Sequence, residues 1–256
     1  MRFSGLALIF FSYSFIGWLL EVLYAFYVHR RFVNRGFCNG ALCPMYGVAG
    51  LLATLSLNPL RAHPIVVFFI GALLISAVEF VTGVLMERLF GARWWDYSDE
   101  RFNIMGYISL RFTILWGVMS LVLVYLLNPL LDRFFSLFSE PLLFLVGISL
   151  TALFAFDVAV TVRSAIGLSS TVKEIESFLR TLPEKFDVGL QRTKHRIQNG
   201  HIYLSTKEST EEWSKKVRYL QIRLMKSFPE MHYRDNFKEA FEILKDATKK
   251  RLKKDD

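Results

Sequence analysis

The chain has 256 residues, of which 53% are hydrophobic and 24 are phenylalanine, with a formal net charge of +8 and a mean hydropathy of +0.33. A composition this apolar argues against a soluble globular domain. The charge is uneven, with 11 basic and 9 acidic residues in 1–163 against 20 and 14 in 164–256; it forms no dense Lys/Arg stripe or recognition motif of the kind nucleic-acid binding requires, and attraction to anionic lipids explains its sign more simply.

A membrane crossing needs about 20 largely apolar residues. Residues 3–28 supply the first. One arginine precedes them and no small-residue cleavage site follows, so they read as a retained anchor rather than a removable signal peptide. Residues 44–57 are shorter; Gly47, Gly50 and Ala53 let neighbouring backbones approach closely, which suits either a packed span or a re-entrant segment. Residues 64–87, 110–127 and 141–162 complete the set. Loop charge favours five crossings, because cytoplasmic loops carry excess Lys and Arg. With an external N-terminus the inside segments hold Arg30, Arg31 and Arg35, then Arg88, Arg93 and Arg101, then the tail, while the outside segments hold Arg2, Arg61 and Arg133. The expectation is an all-α, polytopic bundle of about five transmembrane helices over 1–163, followed by a basic helical cytoplasmic domain over 164–256.

That tail carries the punctuation of soluble helices. Thr171 with Glu174, Thr181 with Glu184 and Ser205 with Glu208 have capping-box spacing, and stops are expected at Asn199-Gly200 and Phe228-Pro229. Apolar stripes follow at Val172, Ile175 and Leu179, at Phe186, Leu190 and Ile197, at Trp213, Val217, Leu220 and Leu224, and at Phe237, Phe241 and Leu244. They are expected to bury against one another, with partner docking or an interfacial membrane helix as the rival readings.

Ionisable side chains at membrane depth are costly and need a partner, water or a function. Glu21 lies on a stripe with Ser14, Gly17 and Tyr24; Glu79 shares a face with Gly83 and Glu87; Asp157 lies one turn from Thr161; Arg111 opens the fourth span. All four candidates, Glu21, Glu79, Asp157 and Arg111, fall within roughly 15 Å of the cytoplasmic helix ends. Converging, they would form a polar cavity open to the cytoplasm, with Arg111 as counter-charge; the alternative is a purely structural polar cluster. Cys38 and Cys43 form no disulfide framework and, without a neighbouring histidine, no zinc site, so they read as free thiols; no metal and no cofactor are expected. The chain contains no G-x-x-x-x-G-K-[ST] sequence and so cannot itself cradle ATP.

Two loops stand out, RRFVNRGFCNGALCPMYG at 30–47 and GARWWDYSDERFNIMGYISL at 91–110. Glycines permit tight turns in both, asparagines can cross-bond their backbones, and Trp94, Trp95 and Tyr97 suit the headgroup level. The strings FVNRGFCNGALCPMYG, ALLISAVEFVTGVLMERLFGARWWDYSDERFN and the Trp116-Gly117 pair resemble the bacterial family of ABC-transporter type IV permeases over the whole membrane part. The resemblance implies a multi-spanning protein of the bacterial plasma membrane with a transport role, and a separate ATPase subunit as partner. By matching position it marks Asn34, Arg35, Gly36, Asn39, Gly40, Cys43, Pro44, Tyr46, Gly47, Glu79, Gly83, Glu87, Trp94, Trp95, Asp96, Tyr97, Asn103 and Gly106 as family motif residues. Similar sequences more often carry a basic residue at the position of Tyr107 and an apolar one at Cys38. Two other readings stay open: an intramembrane enzyme for lipid-linked substrates with Glu79 or Asp96 as base, and a non-catalytic assembly or sensor protein.

Overall fold

Apolar residues run almost unbroken from Phe3 to Val28, and in the computed structural model they form one helix, α1 (Phe3–His29). The structure describes residues 3–30, 32–186, 217, 219–228, 231–233, 240–242, 244–245 and 248. Pro44, with its backbone already set near helical φ, opens α2 (Pro44–Leu57). A short 3-10 turn, Asn58–Leu60, ends it, and α3 (Pro64–Phe90) starts on a second proline. A hairpin of β2 (Asn103–Ile104) and β3 (Ile108–Ser109) leads into α4 (Leu110–Val122). The fourth expected span was to end at Leu127, but a π-helical turn, Leu123–Leu127, carries it into α5 (Asn128–Phe135). That turn re-pairs the carbonyls next to Pro129, which has no N–H to give.

Four helical stretches are long and apolar enough to cross a membrane: Gly5–Val28, Pro64–Phe90, Leu110–Phe135 and Glu140–Ser177. The expected count of about five therefore becomes four, because α2 has 14 residues and reaches only about 21 Å, against roughly 30 Å of hydrocarbon.

The chain before α2 packs along α1. Residues 32–43 have no helix and fold back along α1, where the Trp18 indole N–H donates to Asn34 Oδ1 at 2.8 Å and Arg35 reaches Glu21. The Cys43 N–H then donates to the Ser14 carbonyl at 2.9 Å, part-way along α1. From there α2 runs antiparallel to α1. Each helix seats a tyrosine on a glycine of the other, Tyr46 on Gly17 and Tyr13 on Gly50. At the far end Ile9, Tyr13, Ala53, Leu57, Val67, Leu123 and Val124 make the apolar core.

Two compact units divide the chain, Met1–Met86 with Trp95–Val162, and Glu87–Trp94 with Arg163–Asp256. The capping boxes at Thr171 and Thr181 were expected to start new helices. Instead α6 (Glu140–Phe186) runs 47 residues without a break, about 70 Å. Thr171 Oγ1 donates back to the Gly167 carbonyl at 3.0 Å, a bond available only inside a helix. In the second unit α6 buries Ala165, Leu168, Val172 and Ile175, at helical spacing. Among the described residues Val217, Leu224, Phe241 and Leu244 are buried as well. Helix α7 (Tyr219–Ser227) stops at the expected Phe228-Pro229 boundary. β1 (Ala92–Arg93) pairs antiparallel with β4 (His232–Tyr233). Burial pushes the Tyr233 phenol above its ordinary range, opposed by a hydrogen bond with Ser169. The Ser205 capping box, the Asn199-Gly200 stop and the stripe from Leu190 to Trp213 lie outside the described residues.

Candidate functional site

Two of the candidate carboxylates meet through an aromatic partition. Glu21 projects from α1 toward the start of α2, where the Tyr46 hydroxyl donates to its Oε1 at 2.8 Å. Arg35 Nε lies 3.3 Å from Oε2, an ion pair without hydrogen-bond alignment. The Tyr46 ring meets the Trp116 ring edge to face at 6.0 Å. On the far side of that pair the Trp116 indole N–H donates to Glu79 Oε2 at 2.9 Å, and the Tyr97 hydroxyl donates to Oε1 at 3.1 Å. Glu79 is 3% exposed, and both of these bonding partners are neutral. A cavity of about 20 Å³ opens beside it, lined by Met45, Tyr46, Ala49, Ile75, Val78, Glu79 and Trp116. That is room for about one water molecule. Stacking on Phe112 at 4.5 Å fixes the Tyr97 ring, and Gly83 lets Tyr107 and Trp95 lie close against α3.

Asp157 does a different job. Non-helical backbone packed against helices needs its polar groups satisfied, and residues 34–43 are such a segment. Asp157 Oδ1 accepts from the Asn39 N–H at 3.0 Å and the Asn39 side-chain amide at 2.8 Å, and Oδ2 accepts from the Gly40 N–H at 2.8 Å. Thr161 Oγ1 joins at 3.3 Å, one turn along α6. These charge-assisted bonds keep the loop seated against α6. Asn34 closes the same loop from within, accepting from the Gly36 N–H and donating to the Asn39 carbonyl. Cys38 and Cys43, within the loop, are buried and form no disulfide.

Arg111 does not join this group. Its guanidinium pairs with Glu100 at 3.1 Å, and its side chain is 75% exposed. The reason is geometric: it sits on the first turn of α4, where the hairpin before it brings Glu100 within reach. The counter-charge beside Glu21 is Arg35. In the second loop, Asp96 accepts from the backbone and hydroxyl of Ser98, while Asn103 donates to the carbonyls of Ser98 and Glu100 and accepts from the Gly106 N–H. Gly106 has φ +74°, which favours glycine there. Trp95 donates to the Tyr107 carbonyl.

In the second unit Trp94, expected at the headgroup level, is instead buried, with its ring 4.7 Å from Phe228. Glu87, whose side chain is 2% exposed, pairs with Arg93 at 2.8 Å.

One buried polar cluster escaped the sequence reading. Asn128 Oδ1 accepts from the Tyr13 hydroxyl at 2.6 Å and Thr54 Oγ1 at 3.1 Å, and its amide donates to Asn58 Oδ1 at 2.8 Å. The available signal was the pair of Asn-Pro-Leu strings at 58–60 and 128–130, each at a helix boundary. Among the described residues no group of three or more His, Cys, Asp and Glu is placed to hold a metal ion.

No solved structure matches the chain. The family model described as "Putative ABC-transporter type IV" matches residues 8–162, which takes in the whole bundle, both loops and every carboxylate of the candidate site. This multi-pass membrane protein therefore belongs to the ABC-transporter type IV family.

Proposed function

We propose that the chain is the membrane-embedded subunit of a transporter driven by a separate ATPase, and that its path passes between Glu21 and Glu79. The observation that carries this reading is the placement of a buried carboxylate, Glu79, and a part-exposed one, Glu21, on either side of the Tyr46–Trp116 partition. In the closed arrangement the rings fill the space between them. Parting of α1 and α2 from α3 and α4 would open a polar route, with the loops at 30–47 and 91–110 forming its cytoplasmic mouth. The N-terminus lies outside and the C-terminus in the cytoplasm, as the loop charge favours. On this topology residues 34–57 cross the bilayer as one discontinuous element, an extended inner part followed by α2, which reconciles five crossings with four long helices. The basic tail faces the anionic leaflet and docks the ATPase. The chain is not an enzyme by itself, in keeping with its lack of a phosphate-cradling loop.

Affinity purification through the tail in mild detergent, followed by reconstitution and an ATP-dependent flux measurement, tests this. An ATPase that co-purifies, with flux lost in Glu21→Gln and Glu79→Gln, is expected. Wild-type flux in both variants contradicts it.

A further inference from the structure

We propose that Glu79 is a proton-binding site, with Tyr97 as the hydroxyl that switches its hydrogen bond when the proton arrives. This deepens the transport reading, and rests on it for its purpose, by naming the ion that the path carries or is coupled to.

The argument begins with the donors around the carboxylate. The Trp116 indole N–H can only donate, so Oε2 accepts from it in either protonation state. The Tyr97 hydroxyl is different, because it can donate or accept. When Glu79 is ionised, Tyr97 donates to Oε1. When a proton reaches Oε1 from a hydronium ion in the adjoining cavity, the carboxylate charge is neutralised and water remains. Tyr97 then turns its O–H aside, and its oxygen accepts from the new acid. Each state keeps both carboxyl oxygens bonded, so neither oxygen of the buried Glu79 is left without a partner.

The surroundings select a proton over a metal cation. Hard cations take about six or more oxygen ligands. The side-chain oxygens here are the two of Glu79 and the hydroxyls of Tyr97 and Tyr46, the last already engaged with Glu21, and the rest of the cavity wall is mainly apolar, from Met45, Ala49, Ile75 and Val78. The charged and titratable groups facing Glu79 are few. From α1 comes Glu21, paired with Arg35; from α2 comes Tyr46, bonded to Glu21; from the second loop comes Tyr97. Arg111, on the same helix as Trp116, is engaged with Glu100.

The test is infrared difference spectroscopy of the full chain in phosphatidylethanolamine–phosphatidylglycerol vesicles, titrated in pH. A protonated-carboxyl C=O band should grow as pH falls, disappear in Glu79→Gln, persist in Glu21→Gln, and move to higher frequency in Tyr97→Phe, where its hydrogen-bond acceptor is gone. The amide band in the same spectra reports whether each variant is folded. A band that survives Glu79→Gln, or that never forms in the wild-type protein, overturns the site; an unmoved band in Tyr97→Phe overturns the switch. Because no flux is measured, a missing band refutes proton binding alone, whereas a band without ATP-dependent flux refutes the transport reading alone.

Discussion

Replacing Gly17 with alanine should loosen the contact between α1 and α2 on which the candidate site rests. The new Cβ would lie 2.2 Å from Cγ and 2.4 Å from Cβ of Tyr46, roughly 1 Å inside ordinary van der Waals contact. Those atoms sit at the root of the tyrosine and cannot swing away by rotamer change, so the helices themselves must part. Overpacking of this kind costs about 1–3 kcal/mol, and the immobile partner places Gly17→Ala at the upper end. At about 2–4 °C per kcal/mol for a chain of this size, the melting temperature should fall by roughly 5–10 °C. A thiol-reactive dye provides the assay in detergent, since Cys38 and Cys43 are both buried until the bundle opens. Gly5 is the control, because a Cβ there meets nothing within 4 Å. A Gly17→Ala melt that overlays the wild type, or an equal fall in Gly5→Ala, refutes the close approach.

Asp157→Ala removes the acceptor for two backbone amides and the Asn39 side chain. Bonds to a charged acceptor are worth about 1.5–3 kcal/mol each when buried. Discounted for the site's partial exposure, the loss should raise the labelling rate of Cys38, which is fully buried, by roughly 10–100-fold, as read by maleimide kinetics. In the second unit Arg93→Ala takes an ion-pair partner from the buried Glu87 carboxylate, at a cost of up to about 3–5 kcal/mol. Limited proteolysis should then cut the tail faster, and adding Glu87→Gln should restore much of the resistance. Asn128→Ala strips the Tyr13 and Thr54 hydroxyls of their shared acceptor, which should cost about 1–3 kcal/mol in the same dye-based melt.

Hydropathy alone located the long spans, since α1, α3, α4 with α5, and α6 each carry a run of apolar residues longer than a bilayer needs. The stripe at Val172 and Ile175 was equally plain, because helical periodicity records which face is buried. What the sequence concealed was local choice between two satisfied alternatives. Thr171 and Glu174 fit a helix start, yet the threonine hydroxyl is as well satisfied by Gly167 inside a continuous helix. Arg111 was a reasonable partner for Glu21 or Glu79 by depth, but depth does not say which residue the hairpin folds back beside it. The role of Asp157 was hidden for a related reason: its partners are backbone amides of Asn39 and Gly40, over a hundred residues away, and an amide leaves no mark in a sequence. The asparagines of both loops were more legible, as Asn34 and Asn103 do cross-bond the backbones around them.

Every group assigned to function lies near Glu21, Glu79, Asp157 or the two loops, so the side on which those loops open decides the account. Single cysteines at Phe32, Arg61 and Asp99, labelled with a membrane-impermeant maleimide before and after permeabilisation, measure it directly. The account predicts labelling of position 61 in intact cells, and of positions 32 and 99 only once the membrane is opened. If positions 32 and 61 label from the same side, residues 34–57 do not cross the bilayer and the cytoplasmic mouth proposed for the carboxylate pair is contradicted.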